Sequence, residues 1–183
     1  MPGQRRILVV DYDPTWPLTF ATLRAPICAA LGSVASAVEH VGSTSVPGLA
    51  AKPIVDIDVI LPSRAKLPAT IERLATLGYV YCGDLGIPDR EAFDNPAQLP
   101  PHNLYVCIEG SLALANHLTI RDHLRRNPSA VAAYGQLKKQ MAAQFPTDID
   151  GYCAAKTAFL LEVLQREGFP EADLRAIRDV NLE

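Results

Sequence analysis

The sequence predicts an α+β fold, a small mixed β-sheet packed with helices and a helical C-terminal third. Three observations carry this. Lys52–Leu61 gathers Ile54, Val55, Ile57, Val59, Ile60 and Leu61 into one aliphatic, largely β-branched run, which reads as a buried strand. His102–Ile108 alternates Leu104, Val106 and Ile108 with Asn103, Tyr105 and Cys107, the period of a strand with two distinct faces. From residue 112 onward, three stretches carry helical spacing with capping residues between them.

Taken in order, Ile7–Val10 is an apolar run of only four residues before Asp11. That is too short for a signal-peptide core, and no later run approaches the roughly 20 apolar residues a membrane span needs. Pro14, Trp16 and Pro17 open a segment in which Trp16, Phe20, Leu23, Ile27 and Leu31 recur at helical spacing. Trp16 reads as the packing anchor of this helix, and Pro26 is expected to kink or split it. Ala35–Val41 is the next strand, ahead of Lys52–Leu61. Leu67, Ile71 and Leu74 mark a helix ending at Gly78, and Tyr79–Cys82 a further strand. Gly83–Pro101 holds Gly86, Pro88, Pro96, Pro100 and Pro101 around a short strand at Glu91–Phe93; carrying Arg90 and Phe93, it reads as a functional flap.

Helices are expected over 112–126, 128–144 and 149–167. Asn127 caps the second with Pro128 at its first position, and Thr147 or Asp148 caps the third. In the second, Tyr134, Leu137, Met141 and Phe145 read as core, and Lys138 and Lys139 as a wet face. His123, Arg125 and Arg126 read as solvated surface. From Pro170 the charged end is expected to fray. The chain, 1–183, thus reads as one domain: a mixed sheet region over 1–111, a helical region over 112–169 and a tail over 170–183.

Lys and Arg total 17 against 20 Asp and Glu, a formal charge of -3. This argues against a broadly basic nucleic-acid surface and a polybasic membrane anchor. Cys28, Cys82, Cys107 and Cys153 form no CxxC pair, which argues against zinc held by cysteine spacing and fits a reducing, cytoplasmic setting.

The sharpest chemical signal is Asp56-Ile57-Asp58. Strand alternation sends both carboxylates to one face and Val55, Ile57 and Val59 to the other. Two like charges roughly 7 Å apart on a strand built for burial repel and lose hydration. A divalent cation removes both costs, and oxygen ligands suit Mg²⁺ or Mn²⁺; a strand end whose acids meet water is the plainer reading. Neutral amides at both positions are expected to leave the metal-free fold unharmed. Upstream, Gly42 lets the backbone approach a ligand, while Ser43, Thr44 and Ser45 offer hydroxyls and amides to phosphate oxygens.

A Gly-Ser turn followed about a dozen residues later by Asp-x-Asp on a strand resembles the signature of the polymerase-β-like nucleotidyltransferase superfamily. More specifically, the chain resembles the GrpB family, which has that fold and includes proteins fused to dephospho-CoA kinase. The resemblance runs through Val10-Asp11-Tyr12-Asp13-Pro14-Thr15-Trp16, His40-Val41-Gly42-Ser43-Thr44-Ser45-Val46-Pro47-Gly48-Leu49 and Lys52-Pro53-Ile54-Val55-Asp56-Ile57-Asp58. It continues in Gly86-Ile87-Pro88, His102-Asn103-Leu104-Tyr105-Val106-Cys107, Arg121-Asp122-His123-Leu124-Arg125 and Tyr134-Gly135-Gln136-Leu137-Lys138. It implies that the turn holds triphosphate and the two aspartates hold catalytic metal. The superfamily's active members usually add a third carboxylate from a later strand. Here that strand begins His102-Asn103-Leu104-Tyr105, and His102 is the candidate for the role, as ligand or base; a histidine bonded to a backbone carbonyl at a strand start is the alternative.

Four cations are candidates for phosphate. Lys52 lies four residues before Asp56, Arg90 sits in the flap, Arg121 shares a helix face with His117 and Leu124, and Lys156 interrupts the stripe Tyr152, Phe159, Val163. Each has a plainer role: Lys52 along the surface, Arg90 paired with Glu91 or Asp94, Lys156 snorkelling to water. The expected function is that of a metal-dependent nucleotidyltransferase acting on a nucleotide or phosphorylated small molecule. The alternative is a non-catalytic nucleotide- or phosphate-binding module accessory to a coenzyme A kinase. No membrane partner is expected, and the sequence leaves homo-oligomer formation open.

Overall fold

In the computed structural model, which describes residues 6–182, the chain runs α1 (Trp16–Leu31), β1 (Ala37–Val41), β2 (Val55–Leu61), α2 (Leu67–Ala75), β3 (Val80–Gly83), β4 (Arg90–Asp94) and β5 (His102–Ile108). It continues through α3 (Leu112–Arg126), α4 (Pro128–Gln144), α5 (Ile149–Arg166) and α6 (Glu171–Leu182). The strands form one mixed sheet in the order β1-β2-β5-β4-β3. β2 and β5 are parallel at its middle, and the other pairs are antiparallel.

Register then decides the two faces. Val55, Ile57, Val59 and Leu61 of β2 align with His102, Leu104, Val106 and Ile108 of β5. This apolar face packs against Leu23, Ile27 and Leu31 of α1 and Leu67 and Leu74 of α2. The opposite face, carrying Asp56, Asp58, Asn103, Tyr105 and Cys107, receives α3, whose Leu114 packs on Ile60 and Cys107. α4 and α5 close over this side, with the Tyr134 and Phe159 rings stacked 4.4 Å apart.

Several elements differ from expectation for identifiable reasons. Pro26 neither splits nor ends α1, which runs through it. Pro26 and Thr22 both face solvent, so the Thr22 carbonyl that Pro26 cannot serve is free to be hydrated. By length and composition Trp16–Val34 matches a membrane-spanning helix, contrary to the expectation that no run approaches one; in this fold its apolar stripe covers the sheet. β2 starts at Val55 because Lys52–Ile54 is a tight turn, closed by the Ile54 N–H donating to the Lys52 carbonyl at 2.8 Å. The Asn127 side chain does not cap α4; it turns back and donates to the His123 carbonyl at 2.7 Å, closing α3. Asp148 caps α5, accepting from the Gly151 N–H at 2.9 Å.

The expected frayed tail is α6. Leu174 and Ile177 are buried against Leu164 of α5, with Phe169 packed beside them. Glu171 and Asp173 lie in its first turn, where acidic groups complement the helix dipole. The density of charge hides a short apolar stripe with i, i+3 spacing. If that stripe holds α6 in place, Leu174→Ala should cost about 2–4 kcal/mol in urea or thermal unfolding; a frayed tail would leave the midpoint unmoved.

Candidate functional site

The site begins with the phase of β2. Asp58 is fully buried, and its Oδ2 accepts from His117 Nδ1 of α3 at 2.8 Å, while Oδ1 has no hydrogen-bond partner. Asp56 accepts through Oδ1 from Asn103 Nδ2 at 2.7 Å. Burial pushes the Asp56 carboxyl pKa up and Asp58 adds to it, outweighing the opposing effects of Asn103, His117 and Lys52. Burial alone would lower the His117 pKa, but the Asp58 charge and hydrogen bond hold it above its ordinary value. A carboxylate oxygen left unpartnered beside a second strained carboxylate is a site short of positive charge. Its oxygen donors fit a divalent cation of the Mg²⁺ class.

The Gly42 turn is fitted against Asp56. Gly42 has φ +66°, and a Cβ there would sit 2.8 Å from Asp56 Cγ, inside the carboxylate's own space. Only glycine brings the backbone this close. Beyond it, Ser43–Ser45 forms a 3₁₀ turn in which Ser43 lines the cavities beside Asp56 and His117. Thr44 and Ser45, expected to offer hydroxyls to a ligand, are committed internally. Thr44 Oγ1 pairs with His40 Nε2 at 2.9 Å, and Ser45 Oγ donates to the Gly42 carbonyl at 2.6 Å. His40 stacks on Phe20 at 4.6 Å; burial, then Arg125 and Arg121, bring its pKa to about 4, so the ring is neutral.

Three lysines face this turn across a cavity of about 230 Å³ bounded by Gly42, Ser43, Asp56, Asn103 and Tyr152. Lys52 and Lys156 lie over the Tyr152 ring, their Nζ atoms 5.7 and 4.3 Å from its centroid. Lys138 was expected on a wet face; instead it is 2% exposed, its Nζ 4.6 Å from the Tyr134 centroid and without a hydrogen-bond partner. Burial, with Lys156 and Lys52 nearby, brings its pKa down to about 7 against the opposing pull of Asp56. Burial lowers the Lys156 pKa as well. On the other side of Gly42 and Ser43 a second cavity, of about 210 Å³, is lined by Asn116, His117, Ile120 and Tyr134. A third, of about 190 Å³, lies between the flap, α3 and α6, with Arg90, His117, Ile177 and Asn181 on its walls.

Three other expected site residues lie elsewhere. His102 pairs in register with Val55 and so occupies the sheet face opposite Asp56 and Asp58. Its Nδ1 donates to the Pro100 carbonyl at 2.7 Å, its Nε2 meets the Tyr79 hydroxyl at 2.9 Å, and burial lowers its pKa. It therefore neither touches the aspartates nor replaces a third carboxylate; Asn103 stands opposite Asp56 instead. Arg121 is held by Glu39 and Asp122, each at 2.7 Å, and by the His40 carbonyl at 3.2 Å, fastening α3 to β1 rather than facing the lysines. Arg90 stacks on Tyr105 at 4.4 Å in the third cavity. Of the residues read as surface, Arg125 grips the Ser45 carbonyl through Nε at 3.0 Å and Nη2 at 2.8 Å, and His123 pairs with Glu167 at 2.6 Å; Arg126 is exposed.

Sequence reasoning thus missed Lys138, Asn103, Cys107 and the pairing of His117. A signal for Lys138 existed, since it lies one helical turn after Tyr134 on the same stripe as Met141. Asn103 and Cys107 share the parity of Tyr105, which β-pairing alone turns toward Asp58.

A family model described as GrpB protein matches residues 6–166, a span that holds both aspartates, His117 and all three lysines. The chain is 34% identical over 168 residues to UPF0157 protein BH1888 of Halalkalibacterium halodurans, covering 90% of this chain and 84% of that one. It is similar to the crystal structure of conserved protein GrpB from Enterococcus faecalis, with a TM-score of 0.78, 32% identity, and 92% and 98% of the two chains covered. The MgGTP-bound crystal structure of Cid1 poly(U) polymerase is similar at a TM-score of 0.50 and 17% identity, over 74% of this chain and 44% of that one. That likeness is one of fold alone. The chain spans 46% of the length of UPF0157 protein YqkA of Bacillus subtilis, at 31% identity over 157 residues. It also spans 46% of dephospho-CoA kinase of Mycolicibacterium paratuberculosis, at 27% identity over 185 residues.

The buried Lys138 has a thermodynamic signature. Its pKa is about 7 when folded against 10.5 for the free side chain. Between those values the unfolded chain binds more protons, so wild-type stability rises with pH across that window. Lys138→Met should raise stability at pH 7 by about 1–3 kcal/mol, by removing an unpartnered buried amine, and the gain should shrink toward pH 10. Urea unfolding of both proteins at pH 7 and pH 10 measures it; a loss of stability on substitution at pH 7 would show that Lys138 has a partner.

Proposed function

The chain belongs to the GrpB family, and we propose that its cleft binds a nucleoside triphosphate with Mg²⁺ or Mn²⁺ and transfers the nucleotide to a phosphorylated small molecule or a second nucleotide. The observation that carries this is the cavity that sets Asp56 against Lys52, Lys138 and Lys156 at the Gly42 turn, with Asp58 buried two residues further along the same face of β2. Metal at the carboxylates and cations around a small cavity are the parts that phosphoryl and nucleotidyl transfer need. In this reading the backbone at Gly42 and Ser43 lies along the phosphates and the three ammonium groups neutralise their charge. Asp56 and Asp58 hold the cation, which when bound polarises the α-phosphate and lowers the pKa of an acceptor hydroxyl. A phosphate beside Lys138 favours its protonated form, so the affinity for triphosphate is expected to be higher at pH 6 than at pH 8.

Two observations favour a second reading. Asn103, on the strand beside Asp56, is neutral where a third carboxylate would be expected, and a relative of which this chain covers 46% is named dephospho-CoA kinase. A pocket that binds nucleotide without turnover, serving a coenzyme A kinase, would look the same around the lysines.

The Asp58–His117 pair changes the variant that tests these readings. Asp58→Asn would keep an acceptor for His117 but remove the buried counter-charge of the pair, a loss of up to about 3–5 kcal/mol when the imidazole is protonated, so the two amides are not expected to be equally harmless. Asp56→Asn keeps an acceptor for Asn103 and is the cleaner change. With metal and triphosphate at about 100 times Kd, the wild type should gain roughly 2.7 kcal/mol, and each kcal/mol moves Tm by about 2–4 °C. Asp56→Asn should lose most of that shift. Pyrophosphate release by wild type but not by the variant supports transfer. A shift without pyrophosphate release supports the binding module, and no shift with any metal or nucleotide overturns both.

A further inference from the structure

We propose that Asp58, Cys107 and His117 form a binding site for a thiophilic divalent cation of the Zn²⁺ class, next to the Mg²⁺ position and sharing Asp58 with it. The three side chains come from β2, β5 and α3, so the sheet and a packed helix fix them before any ion arrives. A carboxylate oxygen, the Cys107 sulfur and a His117 ring nitrogen all lie within 4.8 Å of one another. Asp58 and Cys107 are fully buried. Asp58 Oδ2 already holds His117 Nδ1 at 2.8 Å, whereas its other oxygen is unpartnered. An unpartnered carboxylate oxygen in a dry site costs free energy.

The donor set decides the class of ion. Mg²⁺ requires an octahedron of oxygens and has no use for sulfur. One carboxylate, one imidazole and one thiolate match tetrahedral Zn²⁺ or Co²⁺, with three protein ligands and a fourth position left for water or substrate. That position has somewhere to open, because His117 lines the two cavities beside the Gly42 turn and beside α6. Binding replaces the Cys107 S–H bond with a sulfur–metal bond and takes up His117 through an unprotonated ring nitrogen, so the thiol proton and the proton of an imidazolium both leave to solvent. The other reading of the same residues is a plain Asp58–His117 ion pair with a thiol packed against it.

The proposal rests on the proposed function only in sharing Asp58, and one set of measurements separates the two. Metal-stripped protein in a non-thiol reductant is titrated with Co²⁺ alone, and ultraviolet–visible spectra are recorded. The expected result is one equivalent bound, with the intense thiolate-to-cobalt charge-transfer band and tetrahedral ligand-field bands, displaced by Zn²⁺ and untouched by millimolar-scale Mg²⁺. Cys107→Ser should abolish the charge-transfer band and weaken Zn²⁺ binding by at least about tenfold; Cys153→Ser should leave both intact. The wild-type spectrum decides even if Cys107→Ser fails to fold. No stoichiometric Co²⁺, or a spectrum without a thiolate band, overturns the proposal, as does a band that survives in folded Cys107→Ser. If the Mg²⁺–nucleotide thermal shift persists where Co²⁺ fails, the thiophilic site alone falls. If the thiolate band appears without any nucleotide shift, the site stands and the nucleotide reading falls.

Discussion

The burial of two carboxylates on one face of a central strand is the constraint around which this chain is arranged. β2 sits between β1 and β5 with its apolar parity sealed by α1 and α2, so Asp56 and Asp58 are forced into the layer beneath the C-terminal helices. Charges in such a layer must be answered locally. His117 answers Asp58 and Asn103 answers Asp56. α3 is thereby tied to the strand by chemistry as well as by the packing of Leu114. Gly42 follows from the same constraint, since any side chain there would displace the Asp56 carboxylate. The lysines do too, because Lys138 and Lys156 bring positive charge to the one wall the sheet cannot supply.

Much of this was legible in the sequence, and the limits are physical. Alternation alone put Asp56 and Asp58 on a common face, and the stripe of Tyr152, Phe159 and Val163 marked Lys156 as a cation turned inward. The same alternation held the clue against His102, which shares the parity of Leu104 and Val106; an ionisable residue beside a catalytic motif outweighed its phase. Lys138 was misplaced because lysine on an amphipathic helix usually points to water, and nothing in α4 shows that α5 and the Gly42 turn close over it. Arg121 was turned from ligand to strut by Glu39, more than 80 residues earlier in the chain, a pairing no local pattern carries. Cys107 escaped notice for a related reason. Cysteine spacing speaks only of ligands near in sequence, whereas its neighbours come from other elements.

Relatedness and geometry inform different questions here. The match over residues 6–166 and the likeness to the Enterococcus faecalis structure establish kinship and fold. The resemblance to Cid1 poly(U) polymerase, at 17% identity, reaches the sheet and its helices and no further. Within that fold, this chain surrounds its two aspartates with an amide facing Asp56, an imidazole from a helix and a sulfur from the neighbouring strand.

The docking of α6 has a consequence for the cavity beside His117. This helix lies beyond the stretch matched to the family, yet Ile177 and Asn181 form part of the wall opposite His117. The carboxylates, the lysines and the glycine turn all belong to the shared stretch. The wall beside His117 is thus built jointly, by the flap and α3 from the shared stretch and by α6 from beyond it. A change at Ile177 or Asn181 would therefore reshape the space beside the imidazole while the carboxylates, the lysines and the glycine turn keep their places.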